Sequence, residues 1–388
     1  KGQLKGKILF ISDAREYKPA EKPDFTRYDE DKLKELQASP IPAPVDPKKR
    51  ATDAEAFLKQ REFTAFSNRF MAEEGVVATV SLSSWDNGIL RVTGGGSRKA
   101  GESVGVPALV MITEHYNQIL RLIEKKEAVR LAVDIKAQFT SDDDRMAYNT
   151  LADLPGGSRK NELVMIGAHL DSWHTGTGAD DNAAGVAVMM EAMRILKATG
   201  LKPKRTIRIG LWSGEEQGLL GSNAYVEKHF AELPPPADPK LKDLPRSLQE
   251  NPLPPVYKAD YKRISAYYNY DNGGGRIRGI YAQENLAAAQ IFKQWIVPMA
   301  DIGVTTVTNR NTGSTDHIPF DRVGIPGFQF VQDNLDYFTH VHHTHLDGLD
   351  HLQQRGDLGV PARALPGPQQ AQAHFAVGVE VRVEAHAA

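Results

Sequence analysis

The sequence predicts an α/β protein in two parts: a β-sheet with helices on both faces, preceded by a smaller α/β domain. Two observations lead there. From about residue 127 the chain repeats strand-like runs, acidic or His-bearing loops and helix-like stretches, the rhythm of a sheet covered on both sides. At 388 residues it also exceeds the ~250 to 300 at which single cores stop growing, so two domains are expected.

Residues 1–126 alternate short β-rich runs (8–11, 75–82, 89–92 and 108–112) with Gly-rich turns. Residues 54–73 and 114–127 read as helices, because apolar residues recur there at three- and four-residue spacing. "AVRLAVDIKAQF" then opens a strand series, and "AYNTLADLPGGSRKNELVMIGAHL" supplies two more strands around a Pro-Gly-Gly turn. In "NAAGVAVMMEAMRILKAT", Val186, Met189, Met190, Met193 and Leu196 give a helical apolar face, and the Asp181-Asn182 pair lies where an N-cap belongs. "RTIRIGLWS" and "RISAYYNYD" are two further strands. Residues 233–255 hold eight prolines and read as a long extended loop. After about Gly356 the chain turns rich in Ala, Gly, Pro and Arg with no clear amphipathic helix. The expected division is 1–126, 127–355 and a divergent tail, 356–388. The chain opens on Lys1-Gly2-Gln3-Leu4 and runs directly into a strand, so a signal peptide is not expected and a fragment or processed product is.

Composition narrows the function. Charged residues make up 25% and the formal net charge is −2, so no global field points to nucleic acid or a membrane surface, and a small molecule or peptide is the expected partner. The longest apolar runs, such as residues 106–113, fall short of the ~18 to 20 residues that span a bilayer. With no Cys, a metal site would have to be made from His, Asp and Glu.

Such residues collect at strand ends. His169 follows "ELVMIGA", Asp181 precedes the Met-rich helix, Glu215 and Glu216 follow "RTIRIGLWS", and Asp271 ends "RISAYYNYD". In open α/β sheets sites form outside the carboxyl ends of the strands, so these side chains should meet on one edge. Taken singly each has an ordinary explanation: Asp before a helix caps it, and acids in a first turn complement the helix dipole. Three consecutive strand ends all carrying such residues are harder to explain by capping. "FTHVHHTHLDGLDHL" adds His340, His342, His343, His345 and His351, either a solvated polar loop or the source of a second imidazole.

These segments resemble the M28 zinc exopeptidases. "GAHLDS", "GADDNAAG", "WSGEEQGLLGS", "NYDNG", "GSTDHIPF" with "GIPGFQF", and "HHTHLD" appear in that family's order across residues 163–352, and "HHT" and "DNGGGRIRGIY" lean toward its plasma glutamate carboxypeptidase-like branch. Residues 1–126, with "LKGKILFIS" and "GVPALVMI", look like a protease-associated domain. The resemblance implies a mixed, mostly parallel sheet and two Zn²⁺ ions, with Asp181 bridging them, His169 and Asp271 on one, and Glu216 and His343 on the other. It implies that Glu215 is the general base acting on a water that bridges the metals. Asp171 is expected to accept a hydrogen bond from the His169 ring. Many relatives have a cis peptide after the bridging Asp, here Asp181-Asn182, and a Tyr before the last His. That Tyr position is His342 here, so His342 or His317 is expected to stabilise the oxyanion. By the same resemblance, the first part of the catalytic domain is expected to be missing.

The implied reaction is hydrolysis of short peptides, releasing N-terminal residues as an aminopeptidase or dipeptidase. Carboxypeptidase action, a one-zinc glutaminyl-type cyclase and an inactive receptor or scaffold on the same fold are the alternatives. A free amine calls for an acid such as Asp316 or Asp333; a terminal carboxylate calls for a cation such as Arg276, Arg278, Arg310 or Arg322. The Pro-rich segment could shape the site entrance or a homodimer contact, or be a plain surface excursion. Relatives are mostly secreted or periplasmic.

Overall fold

The computed structural model describes residues 2–18, 21, 23–92, 94–97, 102–136, 146–353 and 379–382. Near the N-terminus, β1 (Ile8–Phe10), β2 (Ala78–Leu82) and β3 (Ala108–Met111) form a parallel three-stranded sheet in that order. Three helices accompany it: α1 (Glu30–Gln37), α2 (Pro47–Glu74) and α3 (Thr113–Glu124). The helix expected at 54–73 begins seven residues earlier. Asp46 caps it by accepting from the Lys48 amide, Pro47 supplies a helix-compatible φ at the first position, and Gly75 closes it at φ +74°.

Two N-terminal expectations change. Residues 89–92 are not a strand of the small sheet; Arg91 makes a single antiparallel bridge to Thr344, far along the chain. Helix α1 had no periodic signal, because only Leu33 and Leu36 are buried, and they pack on Val331 of the large sheet rather than on the small one.

The large sheet has seven strands in the order β12-β11-β13-β10-β6-β7-β5. In chain order, β4 (Ala132–Ile135) pairs instead with β14 (Val379–Arg382) in a separate ribbon, so the "AVRLAVDIKAQF" strand does not enter the large sheet. The sheet proper starts with β5 (Thr150–Leu154), β6 (Arg159–His169) and β7 (Arg205–Trp212) and ends with β10 (Ile264–Asn269), β11 (Ile277–Tyr281), β12 (Thr306–Thr308) and β13 (Gly327–Gln332). Strands β13, β10, β6 and β7 run parallel; β5 and β11 are antiparallel to their neighbours β7 and β13. The two-residue strands β8 (Ala231–Glu232) and β9 (Val256–Tyr257) pair at the two ends of the Pro-rich segment. That segment is less extended than expected: it contains 3₁₀ turns at Pro239–Leu241 and Arg246–Leu248, buries Leu244, and meets α2 through the Arg61–Asp243 ion pair at 3.1 Å.

Helices cover both faces. On one, Met165, Trp212 and Tyr267 from adjacent parallel strands pack with Tyr225 of α5 (Leu220–His229), Phe230 and Phe320. On the other, Ala168, Ile209 and Leu211 pack against Met189 of α4 (Ala184–Ala198). Burying side chains of this size contributes ~1.5 to 3 kcal/mol each, which fixes the strands to their helices. Within α4 the expected apolar face is narrower than predicted, since Met190 is 56% exposed whereas Met189 is 3% exposed. The remaining helices are α6 (Leu286–Trp295), α7 (Ile318–Asp321) and α8 (Leu349–Gln353). Among the described residues no helix is long and apolar enough to cross a membrane. The tail expected at 356–388 lies outside the described residues except for β14.

Candidate active site

Because β6, β7 and β10 are parallel neighbours, their carboxyl ends lie side by side, with His169 in register with Trp212 and Gly167 with both Gly210 and Asn269. His169 is the last residue of β6; Glu215 and Glu216 follow β7 by three and four residues; Asp271 follows β10 by two. Asp181 sits in the turn before α4, and the Asp181-Asn182 peptide is cis. Asn182, rather than Asp181, does the capping: its Oδ1 accepts from the Gly185 amide at 3.1 Å and its Nδ2 donates to the Tyr270 carbonyl at 2.8 Å. A Cβ at position 185 would run into that amide group and the Tyr270 carbonyl, so only Gly fits.

The structure brings all five expected ligand residues together. His169 Nε2 is 3.2 Å from Asp181 Oδ1 and 3.6 Å from Asp271 Oδ1. His343 Nε2 is 2.9 Å from Glu216 Oε2 and 3.7 Å from Asp181 Oδ2. The two oxygens of one carboxylate thus face two different groups. The loop carrying His343 bends sharply there, with φ +63° at His343 itself, a conformation that a residue with a Cβ adopts at a cost and only when its surroundings hold it. Trp173 covers the imidazole, ring centroids 5.6 Å apart.

Asp171 acts differently from expectation. The His169 Nδ1 meets the backbone carbonyl of Asp171 at 2.9 Å, while the Asp171 carboxylate oxygen lies 3.8 Å away. The carboxylate instead accepts from the amides of Glu215 and Glu216, at 3.0 and 3.1 Å, and so fixes the turn that presents both acids. The carbonyl still orients the imidazole: it accepts from Nδ1–H and so turns Nε2 toward the carboxylates.

Asp316 and His317 are both fully buried. Asp316 accepts from the Ser222 hydroxyl, and burial pushes its carboxyl up to about 7. His317 Nε2 lies against Gln283 Nε2 at 2.8 Å and the Thr312 carbonyl at 3.1 Å. His342 packs against His343 with the rings tilted, centroids 3.7 Å apart, and one of its ring nitrogens lies within 4.8 Å of ligand atoms of Asp181 and His343. The other histidines of that loop go elsewhere: His345 Nδ1 accepts from the Leu90 amide and His351 Nδ1 meets Asp336 at 3.1 Å. The guanidinium of Arg276 meets the Ile302 carbonyl, and that of Arg278 meets the carbonyls of Gly303 and Tyr28 and the carboxylate of Asp333.

Three contributors carried no sequence signal strong enough to single them out. Asp347 is buried and accepts from the Asp180 amide at 2.8 Å, anchoring the turn that carries Asp181; burial raises its carboxyl to about 7. It stands four residues after His343, a spacing that could have suggested it. Tyr337 is buried beside the centre, and burial first, then the Asp181 carboxylate, hold its hydroxyl well above the ordinary pKa. Arg91 reaches the site from the N-terminal unit.

The electrostatics call for a cation. Burial opposes charging His169, but Asp271 and Asp181 overcome this and hold its pKa well above the ordinary value. His169 in turn draws Asp271 down to about 2 against the effect of burial. Burial first, and then neighbouring carboxylates, push both Glu215 and Glu216 upward. His169 Nε2, Asp181 Oδ2 and Glu216 Oε1 are buried without a hydrogen bond of good geometry. Buried polar atoms are rarely left so. Orphaned imidazole and carboxylate atoms converging in one place fit zinc, which takes N and O ligands of these types.

A mostly parallel sheet that gathers such a donor set at the carboxyl ends of its strands defines an α/β protein organised around a metal-type centre. The chain belongs to peptidase family M28, whose sequence model matches residues 149–358. Among curated relatives it is 27% identical to Carboxypeptidase Q of Mus musculus over 273 residues, covering 70% of this chain and 50% of that protein. It is 34% identical to Carboxypeptidase Q of Xenopus laevis over 244 residues, 63% of this chain and 45% of the relative. Aminopeptidase YwaD of Bacillus subtilis is 29% identical over 267 residues, 67% of this chain and 51% of the relative. The chain therefore spans about half the length of the curated relatives it matches. The crystal structure of a peptidase M28 precursor from Shewanella amazonensis superposes with a TM-score of 0.55 at 24% identity, covering 92% of this chain and 67% of that one, and shares the fold.

Proposed function

We propose that the chain is a dinuclear zinc exopeptidase that hydrolyses short peptides, releasing N-terminal residues. The observation that carries this is the placement of Asp181, whose Oδ1 lies 3.2 Å from His169 Nε2 while its Oδ2 lies 3.7 Å from His343 Nε2, with Asp271 and Glu216 beside the first and second imidazole respectively. His169 and Asp271 would hold one ion, Glu216 and His343 the other, and Asp181 both. Zinc so held supplies an activated water, a polarised carbonyl and the positive charge that this many buried carboxylates demand.

The chain's own groups do the rest. Glu215, 8% exposed and held by the Asp171 carboxylate through its amide, accepts the proton of the attacking water and passes it to the leaving amine. Glu216, its neighbour on the same turn, points to His343 instead, so the two acids divide the roles. His342 offers a hydrogen bond to the oxyanion, and Asp316, with one buried carboxylate oxygen unpartnered, gives an acid for the substrate's amine end. Arg276 and Arg278 are occupied on carbonyls and on Asp333, which supports amine-end over carboxylate-end recognition. The name of the Carboxypeptidase Q relatives favours the second reading, trimming from the carboxyl end. By resemblance, residues 1–126 are read as a protease-associated unit and the protein as secreted or periplasmic.

Mass spectrometry of a mixed short-peptide pool after incubation with the zinc-loaded chain tests this. N-terminal shortening is expected. C-terminal shortening would transfer the chain to the second reading. Glu215→Gln should keep its zinc and lose ~10²- to 10⁴-fold in kcat; full activity in that variant would overturn the mechanism. Asp181→Ala should lose zinc and activity together.

A further inference from the structure

The N-terminal unit reaches into the centre through residues 89–92. Val92 N–H donates to the His343 carbonyl at 2.9 Å, His345 N–H donates to the Leu90 carbonyl at 3.2 Å, and Arg91 bridges to Thr344. This pairing accounts for how His343 is kept at positive φ. The Arg91 side chain adds a two-point grip on the preceding residue: Nε donates to the His342 carbonyl at 3.2 Å and a terminal nitrogen lies 3.3 Å from His342 Nδ1. The grip is braced from behind, since the guanidinium lies over the Trp85 ring at 5.3 Å and the Arg91 amide donates to Ser83 Oγ at 3.1 Å.

A guanidinium has donors and no acceptor. The nitrogen that faces it must therefore present a lone pair, so Nδ1 of His342 is unprotonated and its proton sits on Nε2. We propose that Arg91, contributed by the N-terminal unit, is a positioning residue of the catalytic centre: it holds His342 as the Nε2–H tautomer, leaving that N–H as the donor His342 can offer the cleft. The inference rests on the proposed role of His342 as oxyanion donor. Its structural half, the tautomer, stands independently of turnover. Without the guanidinium nothing at Nδ1 selects between the two tautomers of this half-buried imidazole, and only a fraction of molecules present a donor where charge develops.

The first measurement is the ¹⁵N spectrum of the zinc-loaded, His-labelled protein, with His342 assigned by the signals lost in His342→Gln. The expected result is an unprotonated Nδ1 and a protonated Nε2 at neutral pH. A protonated Nδ1 would overturn the proposal whatever the activity. Arg91→Met should then mix the tautomers and lower kcat ~10- to 100-fold, with zinc content unchanged and KM moved much less; Arg91→Lys, which keeps one donor, should recover part of both the tautomer and kcat. If Arg91→Met does not fold, Arg91→Lys against wild type reads the same two quantities. A single Nε2–H tautomer with full kcat in either variant would also overturn it. A wild-type protein that binds zinc, has the expected tautomer and cleaves no peptide would instead sink the peptidase reading and leave this one standing.

Discussion

Asp171→Asn is a sensitive probe of how the two acids are presented. The carboxylate accepts two backbone N–H bonds, from Glu215 at 3.0 Å and Glu216 at 3.1 Å, and its side chain is 20% exposed. Asparagine keeps one acceptor oxygen and turns an NH₂ toward the other amide. One charge-assisted bond becomes a neutral one, a loss of ~1 kcal/mol, and the second is replaced by two donors facing each other, a loss of ~1 to 3 kcal/mol. Partial exposure lets water relieve some of the second loss, which places the total at ~2 kcal/mol, about a 30-fold change in the folding equilibrium. Urea unfolding of the metal-free protein, followed by tryptophan fluorescence, reads this directly as a lower midpoint at unchanged slope. The His169–carbonyl bond survives the substitution, so zinc should still bind. A destabilisation below ~0.5 kcal/mol would refute the assignment of this carboxylate to the Glu215–Glu216 turn.

Tyr267→Phe removes a hydroxyl that accepts from Trp212 Nε1 at 2.7 Å and donates to Asn269 at 2.6 Å in the fully buried core; a loss of ~1 to 3 kcal/mol in the same urea assay is expected. Met189→Ala should cost ~2 to 5 kcal/mol, whereas Met190→Lys should stay within ~0.5 kcal/mol, as calorimetry of the two variants can establish. Chelation should lower the melting temperature, because an ion held by the folded state at 1,000 times its Kd stabilises by ~4 kcal/mol; an unchanged melting curve after zinc is stripped would contradict a shared buried site.

The strands and the helices with broad apolar faces were legible in sequence because burial on two sheet faces leaves strong periodic or continuous apolar runs. So were the loops that follow β6, β7 and β10, since parallel strands put their carboxyl ends together by topology. What escaped was held by tertiary contact. Helix α1 has two buried leucines and gains its stability from Val331, about 300 residues away. The run 89–92 looks like any short apolar strand, and nothing local says that its partner is the His343 loop. The Asp171 and His169 pairing was anticipated as carboxylate to ring, but the backbone carbonyl satisfies the ring first and frees the carboxylate for two amides. Met190 is as apolar as Met189, and only the helix's orientation on the sheet separates them.

The strand register at this centre has a consequence for folding. Three of the converging residues come from the ends of separate parallel strands that pair in a fixed alignment. A slip of one residue between β6 and β10 would displace one donor by ~3.3 Å along the sheet and turn its side chain to the opposite face. No misaligned sheet could then close around an ion. With the proposed zinc bound, metal-binding energy would accrue only to the correctly aligned topology, and the centre would also serve as a gauge that inspects the assembly of the sheet on which it is built.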